Sequence, residues 1–239
     1  MEQKYKFSIL IGLYNHLSMS LPYLIKSLKQ QTYKDFEVLF CDDASNDGTK
    51  KFFKNKLNLG FDYRYFRLNG FLKFRARLGK SLNQGLKKVK GKYVFFVMGD
   101  SYLKEDALEI LDKMMEEEKG VCGIRWQIDR ETKKIIDVDW RLKKNLIPDK
   151  TVLFPNIPKI TGNGLCIPLK DLNEIGGVPE LKGYGGEDDI LVLKLFRKGL
   201  VFWSCPQVMI YHFEHGERTE NNKENTILLW KTQKYLFSH

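Results

Sequence analysis

An α/β fold with a mostly parallel, doubly wound, Rossmann-like sheet is what this sequence predicts, and three observations carry the prediction. Short apolar runs alternate with helix-patterned stretches through residues 1–120, an order that builds parallel sheets covered on both faces. Polar clusters sit where three of those runs stop: Gly12-Leu13-Tyr14-Asn15, Asp42-Asp43 and Gly99-Asp100-Ser101. In open α/β sheets ligands bind at the carboxyl ends of strands. Finally, 239 residues with 43% hydrophobic content give ample length for a core.

The elements follow in order. Phe7–Leu13 reads as a buried strand. Ser20–Gln31 reads as a helix, with Pro22 in its first turn and Leu21, Leu24, Ile25 and Leu28 as its apolar stripe. Phe36–Cys41 is a second strand, and Asn46-Asp47-Gly48-Thr49 a turn into another helix. Tyr63–Leu68 is a third strand. Leu78, Leu82, Leu86 and Val89 are spaced as one helical face. Tyr93–Met98 is a fourth, strongly apolar strand, and Glu105–Glu118 an amphipathic helix.

The second half is less regular. Val121–Ile128, Ile135–Trp140 and Leu165–Ile167 read as strands. Leu142–Thr161 carries three prolines and reads as a mobile loop. An apolar run from Ile190 to Phe196 reads as a buried helix, and two short strands are expected near Val201–Trp203 and Val208–Ile210. The tail from Asn225 to Phe237 is basic and aromatic, with a helical reading.

Composition narrows the class. No apolar run reaches the length of a membrane span, and the opening residues lack a signal-peptide cleavage pattern, so a cytoplasmic protein is expected. Four scattered cysteines (Cys41, Cys122, Cys166 and Cys205) lack zinc-ligand spacing and read as buried thiols. The net charge of +10 is unevenly placed: Lys50 to Lys92 holds fourteen Lys/Arg against Asp62 alone, or +13, leaving −3 elsewhere. Such a basic half suggests an anionic partner: nucleotide phosphates, a lipid surface or nucleic acid. Lys87, Lys88 and Lys90 are expected to contribute to that surface.

The most informative stretch is Gly183-Tyr184-Gly185-Gly186-Glu187-Asp188-Asp189-Ile190. Adjacent acids repel, and each needs water, a cation or a shared proton. They enter the apolar helix at the end that favours negative charge. A plain N-cap and first turn would account for them, as would a site in which Tyr184 offers a flat face to a sugar ring. Downstream, His212 and His215 follow a strand. Asp100, at the end of the most buried strand, suits a hard divalent cation.

Several motifs in order resemble the inverting glycosyltransferases of the GT-A fold, of the large family-two type. Ser8–Asn15 is similar to the family's opening strand and Tyr-Asn. Ser27–Val38 resembles its SL–QTY–DFEV stretch, and Cys41–Thr49 its DD-x-S-x-DGT signature. Asn83-Gln84-Gly85-Leu86 with Lys90–Val94 resembles the approach to the metal motif. Ile175-Gly176-Gly177 followed by Gly183–Ile190 is similar to the GWGGEDDD region of lactose-synthase-type galactosyltransferases.

The resemblance implies a nucleotide-sugar-binding half at 1–120, an acceptor-binding and catalytic half at 121–218, and a tail at 219–239. It implies donor contacts at Tyr14, Asp42, Asp43, Arg77 and Asp100. It places the catalytic base at Asp188 with Glu187 beside it, and acceptor contacts at Tyr184, Gly186 and Asp189. Asp100 and His212 would hold Mn2+ or Mg2+. The implied reaction moves a sugar, with inversion, from a nucleotide-diphosphate donor such as a UDP-sugar. The acceptor would be a glycan or lipid-linked glycan in surface polysaccharide synthesis, at an anionic membrane surface. A nucleic-acid-modifying transferase and a catalytically dead sugar-binding domain are the alternatives. Two departures stand out: Met98 replaces the first acid of the Asp-x-Asp metal motif, and Leu82 replaces the arginine before Asn-x-Gly, leaving Arg75 or Arg77 to reach the nucleotide.

Overall fold

The computed structural model describes residues 3–55, 58–70, 77–116, 119–138, 151–153, 160–181 and 186–214. The first half runs β1 (Tyr5–Leu13), α1 (Leu21–Gln30), β2 (Phe36–Asp42), α2 (Thr49–Lys54), β3 (Asp62–Arg67), α3 (Leu78–Leu86), β4 (Gly91–Met98), β5 (Ser101–Leu103) and α4 (Ala107–Met114). The second runs β6 (Lys119–Ile128), β7 (Ile135–Val138), β8 (Val152–Leu153), β9 (Leu165–Pro168), α5 (Leu169–Glu174), α6 (Glu187–Arg197) and β10 (Val201–Phe213).

One sheet takes the order β3-β2-β1-β4-β9-β6-β10-β5, with β7 beside β6 and β8 beside β10. β1 to β4 are mutually parallel; β9 is antiparallel to both neighbours, and β10 is parallel to β6. The six longest strands therefore run one way and end along one edge. Register fixes that edge: Leu13 lies beside Asp42, Asp42 beside Arg67, and Gly12 beside Met98.

Alternation along β1, β2 and β4 divides the core between the two faces. Phe7, Ile9, Val38, Phe40, Phe95 and Val97 pack against Leu24 and Leu28 of α1, Phe53 of α2 and Leu111 of α4. Leu10, Leu39, Cys41, Val94 and Phe96 pack against Leu82 of α3, Leu172 of α5 and Leu191 of α6. All four cysteines are buried and free. No helix among the described residues is long and apolar enough to cross a membrane.

Among the described residues the expected elements form, and four details differ. Val201–Phe213 is one thirteen-residue strand rather than two, because Pro206 lacks an N–H and the ladder absorbs it as a register shift between Cys205 and Met209. The short strand β5 has no counterpart in the sequence reading; three residues carry too little pattern. Helix α5 is likewise additional, as is the two-residue strand β8, which lies inside the stretch read as a loop. The loop reading of Leu142–Thr161 falls largely outside the described residues, as does the helical reading of the tail.

Among the described residues the basic segment does not form a single patch. Three of its arginines are engaged: Arg64 pairs with Glu37, Arg67 with Asp42 and Arg77 with Asp43. Its exposed lysines divide by edge. Lys50 and Lys51 open α2 and Lys80 lies in the first turn of α3, where both helices leave the carboxyl edge of the sheet. Lys87 and Lys88 follow α3, and the Lys90 carbonyl accepts the amides of Lys4 and Tyr5, so this trio lies at the amino edge.

Candidate active site

The carboxyl edge gathers three polar groups. The first lies past β1 and β2. Asp42 is fully buried: its Oδ1 accepts from the Ser45 amide (2.9 Å) and hydroxyl (2.5 Å), and its Oδ2 meets the Tyr65 hydroxyl and Arg67 Nε (3.3 Å). Burial, and then the hydrogen bond to Asp42, push the Tyr65 hydroxyl well above its ordinary range. Asp42 is thus enclosed by its own loop, which it holds in shape. Asp43 is the more open acid and pairs with Arg77 Nε at 2.9 Å. The Arg77 guanidinium also donates to the carbonyls of Asn69 (3.0 Å) and Gly70 (2.9 Å), which fixes its position.

The β1 loop is pinned against the same group. Asn15 takes the left-handed conformation (φ 55°), its amide donates to Ser45 Oγ at 2.9 Å, and its Oδ1 accepts the Asn46 amide at 2.8 Å. Asp47 Oδ2 accepts the Leu17 amide at 2.8 Å. Burial alone would raise the Asp47 carboxyl, but hydrogen bonds from the Thr49 hydroxyl and from the Leu17 and Thr49 amides outweigh it and hold it below its ordinary value. Tyr14, whose amide donates to His16 Nδ1 at 3.2 Å, lies in this loop.

The second group joins β4, β5, β6 and β10. His212 is 5% exposed, and its Nε2 lies 3.4 Å from Asp100 Oδ2. Its Nδ1 meets Gln127 Oε1 at 2.8 Å, across the β6–β10 register pair. An amide oxygen accepts only, so this contact places the ring proton on Nδ1 and turns the Nε2 lone pair toward Asp100. A carboxylate facing an imidazole nitrogen is a donor set that fits a divalent transition metal. Among the described residues no third His, Cys, Asp or Glu gathers with them. Met98, at the position of the missing acid, packs its side chain against the α3 side of the core.

The third group is the acidic turn. Gly186, in the left-handed conformation at φ 95°, caps α6, so that Glu187, Asp188 and Asp189 form its first turn. Asp188 Oδ2 accepts the Gly162 amide at 3.3 Å and its Oδ1 the Asp189 amide at 3.1 Å. Glu187 is 7% exposed, while Asp188 and Asp189 are half-buried. Tyr184, Arg75 and His215 lie outside the described residues.

The glycosyl transferase family 2 model matches residues 8–174, from the opening strand to the end of α5. The chain belongs to glycosyl transferase family 2. A cholesterol galactosyltransferase of Borreliella burgdorferi is 32% identical over 108 residues, 45% of this chain and 28% of that protein. The chain spans roughly a sixth to a third of the length of the first curated relatives it matches. Among solved structures, Staphylococcus aureus TarS 1–349 in complex with UDP-GlcNAc superposes with a TM-score of 0.67 at 20% identity, covering 91% of this chain and 61% of that one. GalNAc-T7 with UDP, GalNAc and Mn2+ superposes at 0.69 and 16% identity, covering 90% and 45%. The fold of this family-2 member is GT-A.

Sequence reading missed Gln127 and Asn163, and gave Ser101 only as part of the Gly99-Asp100-Ser101 cluster without a role. Gln127 carries a signal: it is a polar residue inside the apolar run Val121–Ile128. Asn163 is 2% exposed between two glycines, which reads as turn chemistry until its partners are seen.

Proposed function

We propose that this family-2 glycosyltransferase transfers a sugar from a UDP-sugar to a hydroxyl acceptor with inversion, and that Asp188 is the general base. The observation that carries the reading is the placement of Asp188: two backbone amides aim it, and the turn that supplies one of them is tied through Asn163 and Ser101 to Asp100. Asp188 would accept the proton of the acceptor hydroxyl as that oxygen attacks the anomeric carbon and the bond to the diphosphate breaks. Glu187 would bind a sugar hydroxyl, Tyr184 and Gly186 would line the acceptor side, and Asp189 would support the turn. Tyr14, Asp43 and Arg77 would hold the nucleotide, with Asp42 shaping their loop. Asp100 and His212 would hold Mn2+ or Mg2+, which supplies charge neutralisation at the diphosphate.

The solved neighbours carry UDP-GlcNAc in one case and UDP, GalNAc and Mn2+ in the other, which supports a UDP-sugar and a divalent ion here. A lipid-linked glycan acceptor at an anionic membrane, in surface glycan synthesis, is supported by the cholesterol galactosyltransferase relative and the basic segment. A panel of UDP-sugars with and without Mn2+, read first as a thermal shift and then as sugar transfer to lipid-linked glycans, tests the reading. Binding of UDP-sugars strengthened by Mn2+, with transfer, is expected. Binding without any transfer or donor hydrolysis would favour the sugar-binding alternative.

A further inference from the structure

We infer that Asn163 is a positioning residue that couples the Asp100–His212 pair to Asp188, making the two groups one mechanical unit. The inference rests on the glycosyltransfer reading and deepens it. Asn163 is buried, and opposite demands fix both ends of its amide. Its Oδ1 accepts the Met98 amide at 3.1 Å, at the end of β4. Its Nδ2 donates to Ser101 Oγ at 2.8 Å, and that hydroxyl is in turn 3.2 Å from Asp100 Oδ1. Ser101 is fully buried, and its one hydrogen points to Asp100, so its oxygen needs a donor; a carboxylate at position 163 could not supply one.

The backbone of the same turn reaches the other acid. The neighbouring Gly162 amide donates to Asp188 Oδ2 at 3.3 Å. The turn is anchored on both flanks: the Asn163 amide donates to Thr161 Oγ1 (3.2 Å), the Gly164 amide to the Phe96 carbonyl (2.8 Å), and the Gly123 amide to the Gly164 carbonyl (2.8 Å). One path of contacts therefore runs Gln127–His212–Asp100–Ser101–Asn163 and, through one peptide, to Gly162 and Asp188. Groups of this kind behind ligating and reacting side chains set their orientation, and losing one typically costs about 10–100-fold in metal affinity or activity.

The test is Asn163→Ala in the full chain, read four ways. UDP affinity is titrated with and without Mn2+, the Mn2+ concentration for half-maximal UDP binding is determined, turnover at saturation is measured, and amide exchange is followed at residues 160–164. The expected result is a half-maximal Mn2+ concentration raised and turnover lowered, each about tenfold or more, with metal-free UDP affinity within twofold of wild type and faster exchange at Gly162. Asn163→Asp is expected to do the same, since it keeps the shape and loses the donor. Should the position-163 variants fail to fold, Ser101→Ala breaks the same path and carries the same expectations. Metal dependence and turnover both within twofold of wild type would overturn the coupling, as would metal-free UDP affinity falling in parallel with them. If wild type itself shows no Mn2+-dependent UDP affinity, the metal part of the glycosyltransfer reading fails, and exchange at Gly162 still decides whether Asn163 holds the turn behind Asp188.

Discussion

Asp188 receives two backbone amides, one on each carboxylate oxygen. Asp188→Asn keeps the size and one of the two acceptor contacts but cannot take a proton. Turnover should fall by roughly 10²–10⁴-fold, the usual worth of a general base, with UDP-sugar affinity nearly unchanged. Near-normal turnover would remove Asp188 from the reaction. Asp47 makes a different prediction, about pH. Its folded carboxyl lies below the unfolded value, so its contribution is fully present above the unfolded pKa and is lost as pH falls through the folded one. Below about pH 4, set by the ordinary Asp pKa, the melting temperature of wild type should drop more steeply than that of Asp47→Asn. Parallel acid limbs would show that the Leu17 and Thr49 contacts add nothing that depends on charge. The sequence named Asp43, Arg77, Asp100 and His212 and paired only Asp100 with His212; the structure brings Asp100 to His212 and also Asp43 to Arg77. Asp42 was legible as a site residue, but its enclosure by Ser45, Tyr65 and Arg67 was not, because Tyr65 and Arg67 reach it only across the β2–β3 register.

At the scale of elements, helix α3 shows how a motif that resembles a binding signature can be packing. Asn83 bonds both polar groups of Val178, donating Nδ2 to its carbonyl at 2.8 Å and accepting its amide on Oδ1 at 2.9 Å. That docks α3 on the segment after α5. Gly79, four residues earlier, lets the helix approach the same segment: a Cβ there would sit 2.0 Å from the Pro179 carbonyl oxygen. Gly79→Ala should therefore destabilise the fold by about 1–3 kcal/mol, despite the better helix propensity of alanine, because a backbone oxygen cannot rotate away. Chemical denaturation measures this, and an unchanged midpoint would mean that the helix shifts at no cost. Strands β1, β2 and β4 were readable because each is a continuous apolar run buried on both faces. β5 and the unity of β10 were not readable. Three residues carry no period, and Pro206 looks like a terminator unless a bulge is known to absorb it.

Across the whole molecule, charge and site have a defined relation. Lysines 50, 51 and 80 share the carboxyl edge with the candidate site, while lysines 87, 88 and 90 occupy the opposite edge. The sequence alone joined these into one basic half, since separation along the chain does not reveal which way a helix runs. If the basic surface holds the enzyme on an anionic bilayer with its site toward the lipid, the first set carries the contact. Charge reversal at Lys50, Lys51 and Lys80 should weaken binding to anionic vesicles, steeply so as salt shortens the Debye length, whereas reversal at Lys87, Lys88 and Lys90 should leave both vesicle binding and UDP-sugar affinity intact. The reverse ranking in a vesicle sedimentation assay would turn the molecule over. Salt-sensitive binding to duplex DNA in place of vesicles would bring the nucleic-acid alternative forward.

The strand order also sets a schedule. β1 to β4 pair only with one another until β9 emerges, so that half of the sheet can form as it leaves the ribosome. β5 has to wait: its ladder is with β10, which begins at Val201. At ordinary elongation rates, the interval between Leu103 and Val201 amounts to roughly 5–20 s, during which Ser101 and Asp100 have no strand to lie against. His212 arrives with β10 and joins Asp100 in the same step. The loops after β1 and β2 can thus be shaped early in synthesis, while the Asp100–His212 pair forms only once β10 has emerged, so a chain stalled before β10 should fold much of its sheet without that pair.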